Sequence, residues 1–208
     1  MARKPELFIS MDIEADGRVP GLSSMLSFGA AAFTLDKELI GSFSRNLRLL
    51  PEASPEPDTM AFWAKNQEAW LLARQDTMAP GVAMPEFTAW LAGVGQGHQP
   101  PLFVGYPAVY DFKWIDYYTV RFAGANPFGF KGCLDAQSFA NGHLGGAFRD
   151  ASRRAWPKDW SDDLPHTHVA VDDAIEQGAM IVNMIRAARG LPRIGGIVRL
   201  DLQDGVGG

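Results

Sequence analysis

The sequence predicts a mixed α/β domain built on a sheet whose first three strands run antiparallel. Three observations carry this expectation. Three strand-like stretches follow one another between residues 7 and 50. After Pro57, helical patterns alternate with short apolar runs. The last strong element, "VAVDDAIEQGAMIVNMIRAARG" (169–190), has the spacing of a long amphipathic helix.

Over 7–14, Leu7, Ile9, Met11 and Ile13 fall on one face and Phe8, Ser10, Asp12 and Glu14 on the other. "SMLSFGAAAFTL" (24–35) is apolar and rich in small residues, as a central strand should be. "LIGSFSRNLRLL" (39–50) reads as a third strand, with short turns joining all three into a meander. "PEASPEP" (51–57) is a loop, and helices are expected over Asp58–Trp63, Gln67–Gln75 and Met84–Val94. "PPLFVGY" (100–106) is a fourth strand, ended by Pro107, and residues 108–124 form a helix stopped by Gly124. "FKGCLDAQSFA" (130–140) holds a short strand, with Cys133 as a buried strand residue, and then a helix start. Residues 142–167 are irregular. The domain spans 1–190, and the glycine-rich tail 191–208 is expected to fray.

The chain has 208 residues, 47% hydrophobic and 21% charged, which suits one globular domain with a sizeable core. No apolar run approaches the roughly 18–20 residues that span a bilayer, so no membrane partner is expected. The apolar start is cut by Asp12, too early for a secretory signal. The lone Cys133 excludes an intrachain disulfide and a cysteine-built zinc site, and a reducing, cytoplasmic setting is the simplest reading. The net charge of −5 argues against a protein that coats nucleic acid; contact at one end of a strand remains open.

Asp12 and Glu14 leave the same strand face about 7 Å apart. Like charges so close repel, and a divalent cation between them removes the conflict; oxygen ligands favour Mg²⁺ or Mn²⁺ over zinc. The plain alternative is a strand end open to solvent. Asp111 follows the fourth strand and opens a helix, where open α/β sheets place ligands and where an acid also complements the helix dipole. In "HTHVAVDDAIEQG" (166–178), His168 precedes the helix, and Asp172 and Asp173 lie in its first turns about 100° apart. One of the two aspartates can therefore face the sheet while its neighbour faces water. His98, His143 and His166 show no partners in the sequence.

Asp-x-Glu on strand one, an Asp opening a mid-chain helix and His-x-Ala-x-x-Asp opening the last helix together resemble the histidine-bearing (DEDDh) branch of the DEDD 3′–5′ exonucleases. That branch includes proofreading exonucleases, RNase T and oligoribonuclease. The resemblance covers roughly residues 6–190. It implies a ribonuclease H-like fold, a mixed five-stranded sheet flanked by helices. It also implies two Mg²⁺ or Mn²⁺ ions held by Asp12, Glu14, Asp111 and Asp173, with His168 as general base. One departure stands out: the second motif often carries Asn where this chain has Pro107.

By position, Ala15, Gly17, Met25 and Leu26 are candidate substrate contacts. Trp63 is the candidate stacking platform and His168 the residue beside the scissile bond. The loop 149–160, with Arg149, Arg153, Arg154, Lys158, Trp156 and Trp160, could grip a strand backbone or simply be solvated surface. The expected activity is two-metal hydrolysis from the 3′ end of DNA or RNA, single-stranded by preference, releasing nucleoside 5′-monophosphates. Two alternatives stand beside it: an oligoribonuclease-like phosphodiesterase on very short oligonucleotides, and a non-catalytic nucleic-acid-binding protein on the same fold. Relatives of this type are often dimers, so a homodimer belongs to the expectation.

Overall fold

Strand β1 (Phe8–Ala15) lies inside the sheet, and the rest of the fold is arranged around it. The computed structural model describes residues 3–199. β1 pairs antiparallel with β2 (Met25–Phe33), which pairs antiparallel with β3 (Glu38–Asn46). Helices α1 (Pro57–Trp63), α2 (Gln67–Ala73) and α3 (Pro80–Val94) follow. The chain then re-enters the sheet as β4 (Leu102–Gly105), parallel to β1 on its free edge. Helix α4 (Ala108–Ala123), β5 (Cys133–Asp135), α5 (Ala136–Leu144) and α6 (Ala170–Ala188) follow, and β6 (Val198–Arg199) comes last. The sheet order is β5-β4-β1-β2-β3-β6. The expected mixed α/β fold is therefore present, with six strands where five were expected. The extra strand is a two-residue edge parallel to β3, too short to leave a periodic signal.

The predicted alternation of β1 sorts two cores. Leu7, Ile9, Met11 and Ile13 pack with residues of α3 and α4, including Phe87, Trp114 and Tyr118. Phe8, on the opposite face, packs with Phe33 and the apolar face of α6. Gly124 closes α4 with φ 85, as its position predicts. Helix α3 starts four residues earlier than expected because Pro80 occupies its first turn, where a missing N–H costs nothing. The β1–β2 connection is longer than a tight turn and crosses the end of the sheet over residues 16–24.

Cys133 is exposed, not buried, because β5 is an edge strand. The segment 142–167 is irregular as expected, with single 3₁₀ turns at Phe148–Asp150, Arg153–Ala155 and Lys158–Trp160. Of the predicted tail, residues 200–208 lie outside the described residues. The described part is tied down rather than frayed. Asn183 exchanges two hydrogen bonds with the Ile194 backbone (both 3.1 Å), and the Arg186 guanidinium donates to the Pro192 carbonyl (2.9 Å). Lys37, wholly buried, pairs with Asp162 and donates to the Ile194 carbonyl, joining the irregular segment to this tail. Among the described residues no helix is long and apolar enough to cross a membrane.

Two glycines let α6 lie against the sheet. A Cβ on Gly29 of β2 would sit 2.3 Å from the Val171 backbone nitrogen, and one on Gly178 of α6 would sit 2.6 Å from the Phe33 ring. At Gly29 the obstacle is backbone, which cannot rotate away. Gly29→Ala should therefore destabilise the protein by about 1–3 kcal/mol, seen in thermal unfolding as a Tm lower by about 2–10 °C. An unchanged Tm would contradict this packing.

Candidate active site

The alternation that buries Ile13 turns Asp12 and Glu14 to the α6 side of the sheet. There Asp12 lies opposite Gly29 and Glu14 opposite Ser27 on β2. The absent side chain at Gly29 admits the first turn of α6, which delivers Asp173. One oxygen each from Asp12, Glu14 and Asp173 lie within 4.8 Å of one another, a spacing that a divalent cation could bridge. Asp111, in the first turn of α4, is placed by the parallel β1–β4 pairing and accepts from the Ile13 N–H (3.2 Å). Asp173 is buried and Asp172 exposed, the division their helical angle allows and the resemblance assigns.

His168 and Asp173 are locked together. The backbone N–H groups of Thr167 and His168 donate to the two oxygens of Asp173, at 2.8 and 2.9 Å. His168 takes a left-handed backbone (φ 57), uncommon for a residue with a Cβ and sustained here by those bonds. The five-residue spacing of His168 and Asp173 thus has a local cause. The first turn of α6 caps itself backward onto the loop that carries the imidazole.

No lysine or arginine pairs with Asp12, Glu14, Asp111 or Asp173 among the described residues, and one buried oxygen of Asp12 has no hydrogen-bond partner. Burial pushes Asp12 well above the usual carboxylate range, and the charges of Asp111, Glu14, Asp173 and Glu176 add to it. Burial, then Asp173 and Asp111, push Glu14 up to about 8. Burial raises Asp111 to about 7, although the Ile13 N–H and Lys113 pull it down.

Several expected substrate contacts are corrected. Trp63 is 2% exposed and donates its indole N–H to the Ala15 carbonyl (2.9 Å), so it holds the end of β1 and offers no open face for stacking. Met25 and Leu26 are fully buried. The Ala15 carbonyl is taken by Trp63 and the Gly17 carbonyl by the Tyr110 hydroxyl (3.1 Å), so neither carbonyl is free. Exposed apolar side chains at this end include Leu22, at 70%, Val19, at 45%, and Phe62, whose ring meets His168 edge-on at 5.4 Å. In the loop 149–160, Trp156 and Trp160 are buried against α6, and Arg153 pairs with Glu176.

Two residues at the site escaped the sequence reading. His166 places Nδ1 3.1 Å from Asp173. Glu176 is 4% exposed, with one oxygen paired to Arg153 and the other unpartnered. Glu176 could have been found, since it sits three residues after Asp173 on the same helix face. Pro107 offers no side-chain cap to α4. Instead Asp135 accepts from the Ala108 N–H (3.0 Å), and Gln177 accepts from the Tyr106 N–H (2.6 Å).

The chain is 34% identical over 139 residues to the 3′–5′ DNA exonuclease Cap18 of Escherichia coli, covering 66% of this chain and 70% of that protein. Among solved structures, it superposes on the nuclease domain of 3′hExo, a DEDDh family member bound to rAMP, with a TM-score of 0.65 at 10% identity over 93% of this chain and 98% of that one. It also superposes on E. coli Exonuclease I in complex with a dT13 oligonucleotide, with a TM-score of 0.63 at 15% identity over 89% of this chain and 42% of that one. No protein-family model matches the sequence. The architecture is that of a ribonuclease H-like nuclease. The chain belongs to the DEDDh 3′–5′ exonuclease superfamily, and it is a 3′–5′ exonuclease, a phosphodiester hydrolase.

The raised carboxylates give a pH signature. A group whose pKa is raised by folding stabilises the fold while protonated, and that stability is lost as pH rises through the folded value. For Asp111 and Glu14 the loss begins near their ordinary values of 3.8 and 4.5 and is complete once pH passes about 7 and about 8. In EDTA, Tm should therefore fall between about pH 5 and pH 8 and level off above. A divalent cation such as Mg²⁺ would bind the ionised carboxylates, so the Tm gain expected from it should widen over the same range. Asp12→Asn should flatten both trends in thermal scans, and an EDTA profile already flat in the unsubstituted protein would contradict the cluster.

Proposed function

We propose that this exonuclease removes nucleotides from the 3′ end of single-stranded DNA with the aid of two divalent cations, Mg²⁺ or Mn²⁺. The observation that carries the reading is the group of Asp12, Glu14 and Asp173 beside His168, with Asp111 held next to it at the Ile13 N–H and an Asp12 oxygen buried and unpartnered. Four carboxylates that no lysine or arginine among the described residues neutralises fit a pair of hard divalent ions. Such ions would supply charge neutralisation at phosphate and at the departing oxygen. Asp12, Glu14, Asp111 and Asp173 would hold the ions.

The chain's own groups account for the rest. His168 accepts a proton from the attacking water; imidazole changes protonation near neutral pH, and its ring is held by the left-handed turn and by Phe62. The water oxygen bonds to phosphorus as the bond to the 3′ oxygen of the penultimate nucleotide breaks. The released nucleotide leaves as a 5′-monophosphate, and the shortened strand keeps a 3′ hydroxyl after taking up a proton. Val19, Leu22 and Phe62, exposed apolar side chains at this end, would contact the terminal bases. DNA is favoured because the curated relative at 34% identity is a DNA exonuclease, and a single strand because Exonuclease I was solved with dT13. The net charge of −5 supports an alternative substrate of very short oligonucleotides, which need little basic surface.

Digestion of end-labelled single-stranded DNA, RNA and dinucleotides in Mg²⁺ separates these substrates. The expected product ladder shortens from the 3′ end, and it disappears with a blocked 3′ end or with Asp12→Ala. His168→Ala should lower kcat by about 10²–10⁴-fold while retaining metal-dependent thermal stabilisation. Full activity in His168→Ala would remove His168 from the role of base.

A further inference from the structure

Asp173 belongs to two groups of metal-ligating atoms with different chemistry. With Asp12 and Glu14 it forms an all-oxygen group. With His166 and His168 it forms a second group, whose ligand atoms also lie within 4.8 Å of one another. Two imidazole nitrogens and one carboxylate oxygen are the donors that zinc-type ions take, and three protein ligands leave a fourth position for water. Mg²⁺ favours oxygen donors and sorts to the other group.

We propose that His166, His168 and Asp173 form a distinct site for a borderline-soft transition-metal ion such as Zn²⁺, and that its occupancy inhibits the exonuclease. His166 Nδ1 stands 3.1 Å from Asp173 Oδ1, close to the ligand–ligand edge of about 3.4 Å expected for tetrahedral bonds of about 2.0–2.1 Å. The two imidazole rings lie 4.8 Å apart, inclined at 73°, so they meet edge to face around Asp173. Asp173 is anchored by the Thr167 and His168 N–H groups, which fixes the carboxylate that the ion would meet. The His166 side chain is 51% exposed, so the ion and its water have a path from solvent. A bare hydrogen bond between His166 and Asp173 would account for that contact alone, without drawing on the His168 ring.

The inhibitory consequence rests on the role proposed above for His168, whereas the site itself does not. An imidazole nitrogen bonded to an ion has no lone pair for a proton, and Asp173 would be withdrawn from the oxygen group.

The test is Zn²⁺ binding to the metal-free full chain, followed by competition with a chromophoric chelator, with Co²⁺ as a spectroscopic probe of tetrahedral nitrogen ligation. The wild type should bind one equivalent tightly. His166→Gln should weaken that equivalent by roughly tenfold or more, His166→Cys should recover it through a thiolate, and Asp12→Asn should retain it. In Mg²⁺-supported digestion, the Zn²⁺ concentration that halves each variant's own rate should rise by the same factor in His166→Gln. Equal zinc affinity in His166→Gln and wild type would overturn the site, as would loss of zinc binding in Asp12→Asn alone. Zinc binding without any effect on digestion would overturn the inhibition. The binding measurements decide the site even if no digestion is found in any metal.

Discussion

The structure depends on holding several carboxylates together where water cannot fully screen them. Asp111 and Asp173 are tolerated because backbone N–H groups point at them. Asp12 has an oxygen with no such donor, and Glu14 is raised by its neighbours as well as by burial. Ion pairs elsewhere, Arg153 with Glu176 and Lys37 with Asp162, show that the chain can place a cation against a buried acid. Among the described residues no lysine or arginine does so at the four central carboxylates. The repulsion is contained instead by the β1–β2 ladder and by α6, seated on the sheet through Gly29 and Gly178.

The imidazole that completes the site rides on irregular chain. The segment before α6 has little regular secondary structure to fix it. Side chains fix it instead. Trp156 and Trp160 pack against α6, Arg153 pairs with Glu176, the Arg153 N–H reaches the Tyr106 hydroxyl, and Asp162 meets the buried Lys37. The tryptophans and Arg153 are anchored on α6, while Tyr106 directly follows β4 and Lys37 directly precedes β3, so the position of His168 is referred to the helix that carries Asp173 and to the ends of the sheet strands. This is how a loop residue can be held to the geometry that proton transfer needs.

Much of this was legible in the sequence where a strict period operates. The alternation of β1 placed Asp12 and Glu14 on one face, and the helical angle between Asp172 and Asp173 required one to face inward, the resemblance choosing Asp173. Elsewhere the deciding contact lies far along the chain. Phe62 and Trp63 are adjacent in a seven-residue helix, and which ring is buried is settled by the Ala15 carbonyl, 48 residues away. Cys133 looks apolar enough for a core strand, yet its strand is an edge. His166 becomes a neighbour of Asp173 only because His168 turns the backbone left-handed, a conformation that residue type does not announce. Strand β6 has two residues, below any periodic signal, and it exists because its register with Glu38 and Leu39 is available.

The central claim is that the four carboxylates are a cation site rather than a solvated strand end. Crystals grown with Mn²⁺, with anomalous data collected at the manganese edge, test it directly. The account predicts two peaks about 3.5–4 Å apart, one among Asp12, Glu14 and Asp173 and one between Asp12 and Asp111. Anomalous density absent from those carboxylates, with Mn²⁺ bound elsewhere or not at all, would contradict it.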